Sequence, residues 1–191
     1  MEQETRGRLL TLLAKKSFMY SHEPIFKLAS GKMSSFYVNC KKTAYDPEGI
    51  NLIGAAVFAA VQKYAPDGVG GLTLGADPIA IAVAGESFRR GKPCRAFVIR
   101  KQVKGHGTKS PVEGEMDAGD RVVILEDVIT TGDSALIAIN GAREFGLVIL
   151  AVVALVDRQE GGRERLEAEG FPVESIFTKD DVLERYNTLP R

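Results

Sequence analysis

The chain alternates between segments with a helical hydrophobic period and short, uniformly apolar runs. Over residues 50–64 the apolar positions Ile53, Val57 and Val61 recur on one helix face. Residues 147–156 are instead apolar throughout, which is typical of a strand buried on both faces of a sheet. Segments of these two kinds alternate through the rest of the sequence, with predicted helices over 50–64, 78–90, 134–145, 162–169 and 179–186, and predicted strands over 69–74, 95–100, 121–125, 147–156 and 171–177.

This alternation predicts an α/β fold with a doubly wound, mostly parallel sheet flanked by helices, because strand–helix–strand units close through right-handed crossovers. Before residue 50 the pattern predicts an amphipathic helix over 4–19 and a short hairpin over 26–39. Residues 101–118 show no period and are predicted to form a long loop, which in a small domain is usually functional. Ligands of such sheets bind beyond the carboxyl ends of the strands, so the residues that follow the predicted strands are the first site candidates.

The charge balance limits the classes of function. The 191 residues include 25 lysines and arginines and 25 aspartates and glutamates, so the formal net charge is zero. A general nucleic-acid binder would carry a basic excess and a disordered acidic chain an acidic one, so neither class is expected. The charge is nevertheless segregated, because residues 100–109 hold four cations and no acid, whereas residues 126–133 hold three acids and no cation.

Three features bear on cellular location. Cys40 and Cys94 form no CxxC pair, so we expect two reduced, buried thiols. The first ten residues are charged and lack an apolar core, so no secretory signal is expected. The longest apolar run, over 147–156, is too short to cross a bilayer. We therefore predict a cytoplasmic protein with no membrane and no nucleic-acid partner.

The segment after the third of these predicted strands carries the clearest chemistry. Two adjacent carboxylates, Glu126 and Asp127, can accept hydrogen bonds from a vicinal diol such as that of ribose. The turn over 130–134 offers hydroxyls, backbone N–H groups and a helix N-terminus, which together suit a phosphate. The alternative is an acidic strand end followed by an ordinary capping loop, with Asp133 or Ser134 as the N-cap.

Residues 100–109 form the basic part of the predicted long loop. This stretch is either a solvated charged loop or a mobile lid that closes over a polyanion. In a lid, the glycines would supply hinge freedom and the cations would neutralise phosphate charge.

Residues 122–134 resemble the phosphoribosyl-pyrophosphate (PRPP) motif of type I phosphoribosyltransferases, with four apolar residues, two acids, two apolar residues and a hydroxyl-glycine loop. Neither a Walker A loop nor a properly spaced GxGxxG is present. The order Arg-Lys-x-x-Lys-x-His-Gly over 100–107 resembles the catalytic loop of orotate phosphoribosyltransferases in particular. The segments 26–37, 155–162 and 177–181 also resemble that family, so the likeness covers nearly the whole sequence.

The resemblance implies that orotate and PRPP, with Mg²⁺, give orotidine 5′-monophosphate and pyrophosphate in de novo pyrimidine biosynthesis. It also implies a homodimer in which the 100–109 loop reaches the partner's active site. Mg²⁺ would be carried mainly by the substrate, so no residue is assigned as a metal ligand. Two alternatives remain open: transfer to another nucleobase, and a non-catalytic regulator that binds PRPP. The length suits a single domain over 1–191, in which residues 1–45 form a small N-terminal hood.

The resemblance assigns the site residues in four groups. The catalytic group comprises Lys101, Lys104 and His106, with either Lys104 or His106 protonating the leaving pyrophosphate. The orotate group comprises Phe36, Tyr37, Thr130 and Arg158. The pyrophosphate loop comprises Gly75, Ala76 and Asp77. The PRPP group comprises Arg100, Lys101, Lys104, His106, Glu126, Asp127, Val128, Ile129, Thr130, Thr131, Gly132, Asp133 and Ser134.

Arg158 has two interpretations. Its planar guanidinium can bind the orotate carboxylate, or the flat pyrimidine edge, in bidentate fashion. Alternatively, it belongs to a surface ion-pair cluster with Asp157 and Glu160.

The chain departs from the family pattern at the pyrophosphate loop. Residues 72–78 contain no lysine, which some members have there. The candidate replacements are Lys27, Lys32 and the 100–109 loop, or the backbone N–H groups of the loop itself. The acid pair also begins with Glu126 rather than an aspartate. His22 is interpreted as a structural or surface residue.

Overall fold

A computed structural model describes residues 3–27, 31, 33–101 and 111–190. Two short helical turns of other types lie at Leu13–Ser17 and Gln62–Tyr64. The helices and strands in chain order are α1 (Gln3–Leu12), β1 (Phe18–Tyr20), β2 (Phe26–Lys27), β3 (Met33–Ser34), β4 (Phe36–Val38), α2 (Lys41–Ala44), α3 (Pro47–Val61), β5 (Gly68–Leu72), α4 (Ala76–Arg89), β6 (Arg95–Ile99), β7 (Val112–Glu113), β8 (Arg121–Ile129), α5 (Asp133–Phe145), β9 (Val148–Asp157), α6 (Gly162–Ala168), β10 (Val173–Thr178) and α7 (Lys179–Asn187).

The central sheet has six strands in the order β10-β9-β8-β5-β6-β7. All neighbours are parallel except β7, which pairs antiparallel with β6 at the edge. The predicted doubly wound, mostly parallel sheet is therefore confirmed. The short strand β7 falls within the predicted loop over 101–118, where two extended residues are too few to produce a recognisable period.

The sheet separates two hydrophobic cores, and β8 contributes to both. Val123 and Leu125 pack with apolar residues of α3 and α4 on one face, whereas Val122 and Ile124 pack with α5 and α6 on the other. Because successive side chains of a strand point to opposite faces, a strand covered on both sides must be apolar at every position. This geometry explains the uninterrupted apolar runs in the sequence. Among the described residues, no helix is both long and apolar enough to cross a membrane.

The N-terminal elements lie against the C-terminal helix. Strand β1 pairs antiparallel with β4, and the ring of Phe18 contacts that of Tyr186 on α7 at a centroid distance of 5.3 Å. The predicted helix over 4–19 is wrong at its end, because Phe18 turns to an extended conformation and pairs with Val38. Long-range strand pairing here outweighs a local helical pattern. Strands β2 and β3 form an antiparallel pair within the predicted hairpin over 26–39.

Strand β8 is longer than predicted, and this matters for the acid pair. It continues past Leu125 to Ile129, and Glu126 and Val128 are in register with residues of β9. The two acids therefore lie inside the strand rather than after it. A single sequence does not reveal this, because acidic residues disfavour strands unless a neighbouring strand holds them.

Candidate active site

Two adjoining cavities lie at the carboxyl ends of β5, β8 and β9. The first, here called the Arg158 cavity, has a volume of about 320 Å³ and is lined by Tyr37, Glu126, Val128, Ile129, Thr130, Thr131, Gly132, Asp133, Ser134, Ala135 and Arg158. The second, here called the Lys41 cavity, has a volume of about 390 Å³ and is lined by Lys41, Leu72, Thr73, Leu74, Gly75, Lys101, Glu126, Asp127 and Ser134. Glu126 and Ser134 belong to both, so the cavities share a wall.

Glu126 is a buried carboxyl at this shared wall. The residue is 6% exposed, and its Oε1 atom has no hydrogen-bond partner among the described residues. Burial raises the pKa of Glu126 to about 8; the nearby charge of Asp127 adds to the shift, and Lys101 opposes it. A buried oxygen without a partner is costly unless a ligand satisfies it. Glu126 is therefore suited to a hydroxyl of a bound ligand.

Asp127 faces the Lys41 cavity from the same strand. Its Oδ1 atom accepts a hydrogen bond of 2.9 Å from the Val128 backbone N–H, and its Oδ2 atom lies 3.5 Å from Lys41 Nζ. The carboxylate also packs on the pyrophosphate loop, since a Cβ atom added to Gly75 would lie 2.5 Å from Asp127 Oδ1. The absence of a side chain at residue 75 is what allows the loop and the carboxylate to approach this closely.

The turn over 130–132 leads directly into α5. Gly132 is the N-cap, with φ of 82°, and no side chain caps the helix. Neither Asp133 nor Ser134 is thus the N-cap. The first N–H groups of α5 have no partner within the helix, so they are available to an anion at the Arg158 cavity.

Asp133 instead ties this turn to α6. Its carboxylate accepts hydrogen bonds from the Thr131 hydroxyl at 2.7 Å and from Arg165 Nη1 at 2.6 Å. These contacts lower the pKa of Asp133, with the Thr131 hydroxyl making the largest favourable contribution. The turn also packs closely on α6, because a Cβ atom added to Gly162 would lie 2.6 Å from the Thr130 carbonyl oxygen.

Arg158 follows β9 and closes the other side of the Arg158 cavity. Its side chain is 6% exposed, its Nη2 atom donates to Glu160 Oε1 at 2.7 Å, and its guanidinium carbon lies 4.9 Å from the ring centre of Phe36. Its Nε atom has no partner among the described residues. Asp157 lies closer to Arg163, at 3.6 Å. The ion pair with Glu160 is therefore present, with a buried arginine and a Glu160 side chain that is 28% exposed, and Asp157 pairs with Arg163 instead.

The pyrophosphate loop lies beside the Lys41 cavity at the end of β5. Gly75 lines the cavity, whereas Ala76 and Asp77 already belong to the first turn of α4. The Thr73 hydroxyl donates to Asp77 Oδ2 at 2.9 Å, and the peptide bond between Thr73 and Leu74 is cis. The loop thus lines the cavity with the uncharged residues Leu72, Thr73, Leu74 and Gly75.

The basic loop is described only at its base. Lys101 is exposed and lines the Lys41 cavity, close enough to Glu126 to influence its pKa. Arg100 forms an ion pair with Glu113 on β7 instead. Lys104 and His106 lie outside the described residues.

Lys41, on α2, is the site residue that the sequence prediction missed. The proposed replacements for the absent loop lysine were Lys27, Lys32 and the 100–109 loop. Lys27 is exposed on the β2–β3 hairpin, and Lys32 is outside the described residues. The adjacent basic pair Lys41-Lys42 was the available signal, but no local pattern connects it with residues near 127. His22 is exposed and contacts the ring of Tyr20, and both cysteines are buried and unpaired, as predicted.

No family model matches the chain. An orotate phosphoribosyltransferase of Aquifex aeolicus is 50% identical over 178 residues, which cover 93% of this chain and 97% of that protein. Orotate phosphoribosyltransferase of Mycobacterium tuberculosis H37Rv in complex with Fe(III) dicitrate has a TM-score of 0.82 at 34% identity, covering 93% of this chain and 98% of that one. The same enzyme in complex with PRPP has a TM-score of 0.77 at 32% identity, with the same coverage. The chain therefore belongs to the orotate phosphoribosyltransferase family.

Proposed function

We propose that the chain transfers the 5-phosphoribosyl group of PRPP to orotate, giving orotidine 5′-monophosphate and pyrophosphate in pyrimidine biosynthesis. The observation that carries the proposal is the placement of a buried Arg158 in the same cavity as Glu126 and the hydroxyl-rich turn over 130–132. One cavity thus offers a planar cation for an acidic base, oxygen acceptors for ribose hydroxyls and a helix N-terminus for a phosphate.

The phosphoribosyl group would be held between β8 and α5. The turn and the first N–H groups of α5 suit the 5′-phosphate, with the hydroxyls of Thr130, Thr131 and Ser134 close by. Glu126 and Asp127 would accept hydrogen bonds from the ribose hydroxyls, which would satisfy the unpartnered Glu126 Oε1 atom. Val128 and Ile129 supply backbone and apolar surface beneath the sugar.

Orotate would lie between Arg158 and the hood. Its carboxylate matches the guanidinium, whose orientation is fixed by Glu160 and by the ring of Phe36. Tyr37 and Thr130 border the same cavity. An uncharged base would leave this buried arginine with only one acidic partner, which favours orotate over adenine or uracil.

The reaction is a substitution at the anomeric carbon. The ring nitrogen of orotate gives up its proton to solvent and forms a bond to the anomeric carbon, while the bond from that carbon to the pyrophosphate oxygen breaks, through an oxocarbenium-like transition state. Arg100, Lys101, Lys104 and His106 would stabilise the charge that develops on pyrophosphate, and Lys104 or His106 would protonate it. The carboxylate of Asp127, and that of Glu126 once it is ionised, would favour positive charge on the ribose ring.

Mg²⁺ is proposed as a substrate-borne ion. Among the described residues, no group of three or more His, Cys, Asp or Glu side chains is arranged to hold a metal. Asp127 fits such an ion, because its carboxylate, which is 16% exposed, supplies hard oxygen atoms beside the Lys41 cavity. When bound with PRPP, Mg²⁺ would neutralise part of the pyrophosphate charge.

The direct test follows the loss of orotate absorbance with PRPP and Mg²⁺ present. Turnover with orotate, and none with adenine, xanthine or uracil, is the expected result. Turnover with another base would overturn the assignment of orotate, and PRPP binding without turnover would favour a non-catalytic regulator.

A homodimer with the 100–109 loop acting in the partner's site is also proposed. Within the described chain, Lys101 lies close enough to Glu126 of the same subunit to influence its pKa. A mixing experiment therefore distinguishes a loop that acts in its own subunit from one that acts in the partner. Mixing Lys101→Ala with Arg158→Ala subunits leaves about a quarter of the sites intact if the loop acts in the partner, since a twofold dimer restores one site per heterodimer. No recovery of activity is expected if the loop acts within its own subunit.

A single domain over 1–191 with a hood over 1–45, and a cytoplasmic location, stay predictions of the sequence.

A further inference from the structure

The Lys41 cavity combines two carboxylates with few cations. Glu126 and Asp127 line it, whereas the pyrophosphate loop over 72–78 contains an aspartate but no basic residue. In the proposed reaction a polyanionic leaving group must occupy space beside these acids. An ionised carboxylate repels a polyanion at close range in a partly buried site, so the cavity needs positive charge of its own.

Two lysines line this cavity, and they differ in how they are held. Lys101 is exposed and begins the loop that is proposed to serve the partner subunit. Lys41 projects from α2, which is clamped in the fold through its buried residue Thr43. The Thr43 hydroxyl bonds that of Ser17 at 2.7 Å, and a Cβ atom added to Gly49 of α3 would lie 2.1 Å from the Thr43 carbonyl oxygen.

The contact between Lys41 and Asp127 leaves the lysine available. Lys41 Nζ lies 3.5 Å from Asp127 Oδ2, and the lysine side chain is 45% exposed while the aspartate is 16% exposed. An exposed ion pair of this length is weak, so the ammonium can turn toward a stronger anion without losing much. Lys41 lines the same cavity as Gly75, so it lies beside the pyrophosphate loop.

We propose that Lys41 binds the pyrophosphate group of PRPP and thereby replaces the lysine that the pyrophosphate loop lacks. This inference rests on the proposed function. It assigns Lys41 to the leaving group, not to the base or the 5′-phosphate, which are held in the Arg158 cavity. Ligands with and without a pyrophosphate group should therefore respond differently to its removal.

The test compares Lys41→Ala, Lys41→Met and Lys41→Arg with the control Lys42→Ala. Lys42 is the next residue on α2, is exposed and does not line the cavity. The readouts are KM for PRPP in the forward direction, KM for pyrophosphate in the reverse direction, and the dissociation constants of pyrophosphate and orotidine 5′-monophosphate by calorimetry. Thermal unfolding of each variant checks that it is folded.

Loss of the charge should raise the KM values for PRPP and pyrophosphate, and the pyrophosphate dissociation constant, on the order of tenfold or more, the usual cost of one charge-assisted contact. Affinity for orotidine 5′-monophosphate should change less than about twofold, because that ligand has no pyrophosphate. Lys41→Arg should retain most of the affinity, and Lys42→Ala all of it.

Unchanged pyrophosphate affinity in folded Lys41→Ala and Lys41→Met would overturn the proposal. An equal loss of affinity for orotidine 5′-monophosphate would also overturn it, because it would indicate general damage to the site. Failure of the proposed function can be told apart from failure of this inference. If the proposed function is wrong, the unsubstituted protein does not turn over orotate. Calorimetry of pyrophosphate binding would still show whether Lys41 binds that group.

Discussion

The two cavities of the site are built in different ways. The Arg158 cavity draws its polar groups from the ends of β8 and β9 and the start of α5, and these groups already hold one another: Arg158 bonds Glu160, and Asp133 bonds Arg165. The Lys41 cavity takes its cations from a short helix and from the base of a loop, and its one described ion pair is long. The side that would bind base and ribose phosphate is therefore fixed by the sheet, whereas the leaving-group side is completed by attached segments.

This difference has a consequence for catalysis. Groups that are prearranged bind a ligand without a cost of ordering, which suits the parts of the substrate that do not change in the reaction. Groups on attached segments can be repositioned as negative charge develops on the leaving group. Substitutions should thus act differently on the two sides, and four of them test this.

The largest effect is expected for Arg158→Ala. The change removes the proposed bidentate donor for the orotate carboxylate and the partner of Glu160, so kcat/KM for orotate should fall on the order of 1000-fold. KM for PRPP should change little, because the proposed role of the arginine is to bind the base. Steady-state kinetics with each substrate varied in turn measure both. Arg158→Lys is the matched control, which keeps the charge but not the planar fork. Orotate kinetics unaffected by Arg158→Ala would contradict the base-binding role of this cavity.

A second prediction concerns the shared wall. Burial raises the pKa of Glu126 from its ordinary 4.5 to about 8, so between these pH values the folded protein holds a proton that the unfolded chain has released. The free energy of unfolding should therefore fall as pH rises through this window. Glu126→Gln cannot ionise, so the variant should become the more stable protein above pH 8, by a few kcal/mol at most.

Urea unfolding of the unsubstituted protein and of Glu126→Gln, without ligand, measures the difference in their free energies of unfolding. A range of about pH 5 to 9 covers most of the interval between the ordinary and the raised pKa of Glu126. Parallel pH profiles would show that Glu126 is charged throughout, and hence that the wall between the cavities is well hydrated. In that case no buried wall would separate the Arg158 cavity from the Lys41 cavity, and the contrast between the two cavities would be weakened.

A third prediction tests the close packing of the pyrophosphate loop. Gly75→Ala places a Cβ atom 2.5 Å from Asp127 Oδ1, so the carboxylate or the loop must move. KM for PRPP should rise on the order of tenfold, with orotate affinity nearly unchanged. Gly85→Ala is the control within α4, because its Cβ atom would meet only the Arg89 side chain at 3.8 Å, and alanine favours helices. A larger loss for Gly85→Ala than for Gly75→Ala would refute this account.

The smallest effect is expected for Arg165→Ala. Arg165 bonds the Thr131 carbonyl oxygen at 3.1 Å and Asp133 at 2.6 Å, but the arginine and aspartate side chains are about half and two-thirds exposed. Exposed ion pairs contribute little, so KM for PRPP should rise less than about threefold. A tenfold or greater rise would show that the phosphate-binding turn depends on α6 rather than on the sheet.

The sequence was informative where the relevant contacts are local. The alternation of apolar runs and helical periods predicted the order and nearly the bounds of α3 to α7, and the grouping of acids, hydroxyls and glycine predicted the wall of the Arg158 cavity. The sequence was less informative where a segment far away in the chain determines where an element ends. Strand β9 extends β8 to Ile129, and β4 draws Phe18 out of the predicted helix over 4–19.

By itself, the sequence determined that the strand over 147–156 would be buried on both faces and that an acid pair and a hydroxyl-glycine turn would meet at one edge of the sheet. Only the tertiary structure decided which partners these groups meet. Lys41 reaches Asp127 across 86 positions of sequence, and Arg158 lies over the ring of Phe36. The physical reason is that periodicity and turn chemistry act between neighbours in the chain, whereas the pairing of distant charges depends on how hood and sheet pack together.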